Sequence, residues 1–163
     1  MNAKSLQIST PTDSTIVLTR AFNAPRRLVW EATFTPDKMR RWMIPPPGWT
    51  MTVCEVDARV GGALSLAWKN EDADPVMTLQ GVFKEVVPHE RIVHTERMAM
   101  GSGETVGTLL ETHEFAEKGG VTTMRITQVY DSKDARDGAL ASGMEHGMEA
   151  GYKQLDAMLA QPA

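Results

Sequence analysis

A single cysteine, Cys54, occurs in the 163 residues. No disulfide can form within the chain, and a reducing compartment, the cytoplasm, is the expected location. Aromatic residues are few, at 6%, and no apolar run approaches the roughly 20 residues that a membrane-spanning helix needs. The polar stretch Met1 to Asp13 lacks the apolar core of a signal peptide. Lysines form no cluster and the net charge is -4. An acidic domain without a basic patch is expected to bind neither nucleic acid nor an anionic membrane. HExxH, Cys-rich ligand spacing, GxGxxG and a lysine-bearing phosphate loop are all missing, and no serine sits in a nucleophile elbow. Neither a metal nor another cofactor is therefore expected. No fixed-period repeat is present.

What is present fits one soluble α+β domain. At this length roughly two-thirds of the unfolded surface can be buried, so a core forms without disulfide or metal. Residues 1–13 read as a flexible tail and residues 14–160 as the domain. Ser14 to Phe22 is rich in Ile, Val, Leu and Thr and predicts a strand. Pro25 suits the first turn of a helix to about Thr33. A second short helix spans Thr35 to Trp42, and Pro45, Pro46 and Pro47 then forbid helix.

Six further strands follow, separated by turn residues: Met51 to Asp57, Ala63 to Lys69, Val76 to Val87, Arg91 to Met98, Val106 to Phe115 and Val121 to Tyr130. From Ser132 the period changes. Leu140, Met144, Met148, Tyr152, Leu155 and Leu159 recur every three or four residues, the stripe of one helix about 25 residues long. Strands joined by tight turns predict an antiparallel sheet of about seven strands curved around that C-terminal helix, the helix-grip fold.

The order and several motifs resemble the START-like (SRPBCC) superfamily, and within it the domain of activators of the heat-shock-protein-90 ATPase. The likeness covers about Thr15 to Leu159. It rests on Arg20-Ala21-Phe22-Asn23-Ala24-Pro25, Val29-Trp30, Trp42, Asp57-Ala58-Arg59-Val60-Gly61-Gly62 and Gly81-Val82-Phe83. Glu85-Val86-Val87-Pro88, Glu90-Arg91-Ile92-Val93 and Gly119-Gly120 with Thr122 continue it. The resemblance implies a cavity between sheet and helix, in a fold that hosts lipid carriers, cyclases, hormone receptors and co-chaperone domains. Two departures stand out. Tyr152 takes the place of a frequent tryptophan, and His94 and Glu96 stand where many relatives carry apolar or aromatic residues.

Alternation along the strands places candidate site residues. With Ile92 inward, so are His94, Glu96 and Met98. With Phe115 inward, so are His113 and Glu111. With Met124 and Ile126 inward, so are Gln128 and Tyr130. Three neighbouring strands would then present a polar floor among Leu66, Trp68, Met98, Met124, Met144, Met148 and Tyr152. Each buried polar group left unsatisfied costs roughly 1–3 kcal/mol, so such a floor either orients a ligand or forms an acid–base pair. A bulge in one strand would instead turn these groups to solvent. Two His and two Glu could also ligate a metal, although no sequence spacing supports it.

The 11 methionines suit a pocket for varied apolar ligands as well as ordinary core filling. Trp42, Trp49 and Trp68 could rim a pocket mouth or anchor the small helices. Gly143, Gly147 and Gly151 suggest close approach of a backbone or ligand, or a homodimer contact. The functional expectation is a binding domain for a small, mostly apolar molecule, with enzymatic activity left open. The alternative is an interaction module that stimulates a chaperone ATPase.

Overall fold

The computed structural model describes residues 5–72, 76–101 and 103–161. Period-two patterning makes the strands. In Val121–Tyr130 the residues Thr122, Met124, Ile126, Gln128 and Tyr130 are buried and their neighbours are not. One face therefore carries the core, as the pleat requires.

The elements run β1 (Gln7–Ser9), β2 (Thr15–Phe22), α1 (Arg26–Phe34), α2 (Pro36–Trp42), β3 (Trp49–Val56), β4 (Ala63–Asn70), β5 (Val76–Val87), β6 (Arg91–Met100), β7 (Glu104–Lys118), β8 (Val121–Tyr130), α3 (Lys133–Ala141) and α4 (Met144–Leu159). The strands form one eight-stranded sheet in the order β1-β2-β8-β7-β6-β5-β4-β3. Every neighbouring pair is antiparallel. This is the expected α+β helix-grip architecture, with one strand more than the sequence suggested. No helix among the described residues is long and apolar enough to cross a membrane.

Two expectations need correction. Residues 1–13 are not wholly a flexible tail, because Gln7–Ser9 pairs with Val17 to Thr19 at the sheet edge. Three residues with one apolar side chain are too short for a period to show. The C-terminal helix is also not continuous. Gly143 adopts φ 78° between α3 and α4, a left-handed conformation that glycine takes without steric cost. The apolar stripe crosses this break undisturbed in sequence, so periodicity alone hides it.

Tyr152 and Leu155 of α4 are buried, whereas Met144 and Met148 are half-buried and pack on the core margin. Of the three spaced glycines, only Gly151 is pressed. A Cβ there would stand 2.9 Å from the Trp42 carbonyl oxygen, while one at Gly147 would meet nothing within 4 Å. Close approach of α4 to α2 is thus the use of Gly151. Trp42 fills the junction: its indole N–H donates to the Ala32 carbonyl at 2.7 Å, and its ring stacks on Tyr152 with centroids 5.5 Å apart. Trp42 and Trp68 are buried and Trp49 half-buried at the core margin, as anchors would be.

Candidate functional site

Sheet register sets the site. Residues facing each other across neighbouring strands share a face, and three rungs of β6, β7 and β8 lie side by side. His94 pairs with Glu111 and Glu111 with Gln128. One rung along, His113 lies between Ile92 and Ile126; one rung the other way, Leu109 lies between Glu96 and Tyr130. The one register shift between β6 and β7 lies at Met98/Ala99, opposite Thr105 to Gly107 of β7 and beyond these rungs. The six polar residues therefore stay in phase. His94, Glu111, His113, Gln128 and Tyr130 are buried, and the Glu96 side chain is 12% exposed.

The side chains form a connected chain. Tyr130 Oη–H donates to Gln128 Oε1 at 2.9 Å, and the Gln128 amide donates to Glu111 Oε2 at 2.9 Å. His113 Nε2 lies 2.5 Å from Glu111 Oε1. His94 Nε2 lies 3.9 Å from the same oxygen, too far for a hydrogen bond. His94 Nδ1 sits 3.1 Å from the Thr95 carbonyl oxygen. That oxygen only accepts, so Nδ1 carries the hydrogen in a neutral ring and Nε2 keeps a bare lone pair. His113 Nδ1 is buried and has no hydrogen-bond partner among the described residues. The two imidazoles stack with centroids 5.7 Å apart. Phe34 of α1 meets the His113 ring edge-on at 5.3 Å.

Electrostatics divide the two carboxyls. Burial pushes Glu96 well above the usual carboxylate range, and the neighbouring negative Glu111 pushes it further. Burial would also raise Glu111, but the adjacent His113, then His94 and the Gln128 amide, outweigh it and hold Glu111 low. The two neighbouring carboxyls are thus pushed in opposite directions, the pattern that separates a proton donor from a proton acceptor in a dry site. His94 is lowered by burial, with Glu111 opposing the shift. Burial raises the Tyr130 and Tyr152 hydroxyls, and Glu111 adds to it. Among the described residues, His94, Glu111 and His113 bring one donor atom each within 4.8 Å of one another.

The apolar candidates surround this floor. Leu66, Trp68, Met124 and Tyr152 are buried. Met98, Met144 and Met148 are half-buried against the same core. The polar groups contact one another rather than an open cavity. Two depressions of about 270 and 360 Å³ lie elsewhere: one is lined by Ala21, Asn23, Asp156, Leu159 and Ala160, and the other runs from Thr105 to Gly107 and along the start of α3.

Sequence reasoning passed over Phe34, and it passed over Arg20 as a structural group. Arg20 is 1% exposed and lies in register with Ile16, Leu18 and Phe22. A charged residue at an inward position of an apolar strand is a readable signal for a buried ion pair.

The sequence profile described as "Activator of Hsp90 ATPase homolog 1-like protein" matches residues 23–160. The chain belongs to that family. A crystal structure of a Rhodobacter sphaeroides protein is similar, with 28% identity, 96% of this chain and 98% of that chain covered, and a TM-score of 0.85. A Chromobacterium violaceum protein has 28% identity over 93% of this chain and all of that one, with a TM-score of 0.75. A Mycobacterium smegmatis protein at 20% identity, covering 96% of this chain and 98% of its own, has a TM-score of 0.81 and shows the shared fold alone. No curated protein matches. Membership agrees with the START-like superfamily and, in general terms, with a ligand-binding or interaction domain.

Proposed function

We propose that this member of the Activator of Hsp90 ATPase homolog 1-like family binds a small, mostly apolar molecule between the sheet and the C-terminal helices. The polar end would anchor on His94, Glu96, Glu111 and His113, and the protein would work in the cytoplasm, where Cys54 stays reduced. The observation that carries this reading is the buried His94 Nε2, which stands 3.9 Å from Glu111 Oε1, outside hydrogen-bond reach. A purely structural network gains by pairing such atoms.

Access favours the first half of α4. Met144 and Met148 are only half-buried, and side-chain ion pairs between α4 and the sheet begin at Glu149. The break at Gly143 lets this end part from the sheet while the latched half stays. Apolar ligand surface would replace the methionine contacts, whose flexible thioethers adapt to varied shapes.

Native mass spectrometry of freshly purified protein tests the reading, because a retained molecule names the ligand class. His94→Ala and His113→Ala should weaken ligand retention far more than folding. Equal losses in both would make these residues structural. The family description alone supports an interaction module acting on a chaperone ATPase; stimulation of that ATPase by the intact chain, undiminished in His94→Ala, would favour it instead.

A further inference from the structure

The geometry points to a divalent transition-metal site at His94, Glu111 and His113, and we propose that this cluster takes Zn²⁺ or a similar first-row ion through the two Nε2 atoms and Glu111 Oε1. The inference deepens the ligand reading above and rests on the same cluster facing the ligand.

The donor set comes first. Two imidazoles and one carboxylate form a set suited to zinc or ferrous iron, with further positions open for water or substrate. The three residues sit on adjacent strands, so the pleat fixes their spacing; no sequence motif is needed, and none exists. Their donor atoms lie within 4.8 Å of one another. Around a tetrahedral ion with bonds of about 2.1 Å, donor atoms stand about 3.4 Å apart. His94 Nε2, 3.9 Å from Glu111 Oε1, would close in by about half an ångström, and His113 Nε2, 2.5 Å from that oxygen, would draw back by about one ångström to admit the ion.

The outer contacts are the second, independent observation. Metal-bound imidazoles are usually oriented by a hydrogen bond from the other ring nitrogen. His94 has that bond, Nδ1 to the Thr95 carbonyl at 3.1 Å. Its side chain is 2% exposed, and its bare Nε2 aims at Glu111 Oε1 from 3.9 Å. At that distance the two atoms are out of hydrogen-bond reach of each other, and one ion bound by both would satisfy them together. The second Glu111 oxygen is already held by the Gln128 amide at 2.9 Å, which leaves Oε1 for the ion. His113 Nε2 now spends its hydrogen on Oε1. On metal binding that hydrogen moves to Nδ1, which has no partner to displace, or leaves to solvent.

Chelator-treated full-length protein titrated with Zn²⁺, with no organic ligand added, tests this. The sequence has four histidines, so long-range nitrogen-15 spectra can follow His89, His94, His113 and His146 separately. The expected result is uptake of one ion per chain, with the Nε2 signals of His94 and His113 shifting and those of His89 and His146 unmoved. Co²⁺ should give visible d–d absorption. His94→Gln should lose more than about 100-fold in Zn²⁺ affinity, since losing even an outer-shell partner costs 10–100-fold. Should that variant fail to fold, the wild-type spectra decide alone. Absent stoichiometric uptake, or shifts confined to His89 or His146, would overturn the metal site. A small molecule retained in native mass spectra without metal uptake would sink the metal and keep the ligand reading; loss of both would sink both.

Discussion

Arg20 on β2 grips Asp156 on α4 with two parallel hydrogen bonds, Nη1 to Oδ1 at 2.9 Å and Nη2 to Oδ2 at 2.8 Å. Its Nε and Nη2 also reach Glu149 Oε1 at 3.1 and 2.8 Å, and its guanidinium lies 4.9 Å from the Phe22 ring centre. The cation is buried, but the Asp156 side chain is 43% exposed. The two sides of the pair are therefore unequal. Replacing both Glu149 and Asp156 by alanine strands a buried charge, which costs about 3–5 kcal/mol. Arg20→Met leaves carboxylates that can turn to water and should cost clearly less. Urea unfolding of both variants checks the order; the reverse order would mean that packing of the Arg20 stem dominates.

The same clamp sets an acid limb. Burial would raise Glu149, but Arg20, the Leu6 N–H and Lys153 outweigh it and hold its pKa below the ordinary value. A carboxyl depressed on folding contributes stability present above the unfolded value, about 4.3, and lost as pH falls through the folded one. His94 acts with the same sign from about pH 6.5 downward, because burial opposes its protonation. Glu96 acts oppositely: its raised pKa contributes stability at low pH that is lost as pH rises. Unfolding midpoints of metal-free protein should therefore fall only gently from pH 7 to 5 and steeply below about 4.3. In Glu149→Gln the steep limb should shrink; an unchanged limb would show that other carboxylates control acid unfolding.

Much of this was legible before any coordinates. Ile92, Phe115 and Met124 fixed the phase of three strands, and alternation then placed six polar side chains on one face. That inference works because a side-chain period of two leaves only two choices for each strand. The helix break at Gly143 was not legible, since the apolar stripe continues through it. Nor was β1, which is held by main-chain pairing and by Leu6 N–H donating to Glu149. The convergence of His94 and His113 on one Glu111 oxygen depends on rotamers, which no period encodes.

Gly147 and Gly151 look alike in sequence and should behave oppositely. Gly147 is exposed with open space around it, so Gly147→Ala should stabilise by up to about 1 kcal/mol through helix propensity. Gly151→Ala gains the same propensity but drives a Cβ to 2.9 Å from the Trp42 backbone oxygen. Backbone cannot yield as a side-chain tip does, and overpacking typically costs about 1–3 kcal/mol. The net change should be destabilising. Thermal unfolding of the two variants checks the sign; stabilisation by both would mean that α4 can slide away from α2 freely.

The polar chain from Tyr130 to Glu111 should behave as a unit. Gln128 accepts from Tyr130 and donates to Glu111, so Gln128→Met strands two buried polar groups at once. Each such group costs about 1–3 kcal/mol. Tyr130→Phe removes only one donor and leaves Gln128 Oε1 without its partner, for a loss in the lower half of that range. In the double variant the Tyr130 hydroxyl is gone before it can be stranded, and only the Glu111 oxygen is left without its amide. The double should therefore cost less than the two singles added, with a coupling of about 0.5–3 kcal/mol, the range found for residues in one network. A double-mutant cycle by urea unfolding measures it. Strict additivity would mean that Tyr130 and Gln128 each find other partners and that no continuous chain reaches Glu111. A large coupling would tie the orientation of the Glu111 carboxylate, and with it the oxygen presented to both imidazoles, to a tyrosine one rung away.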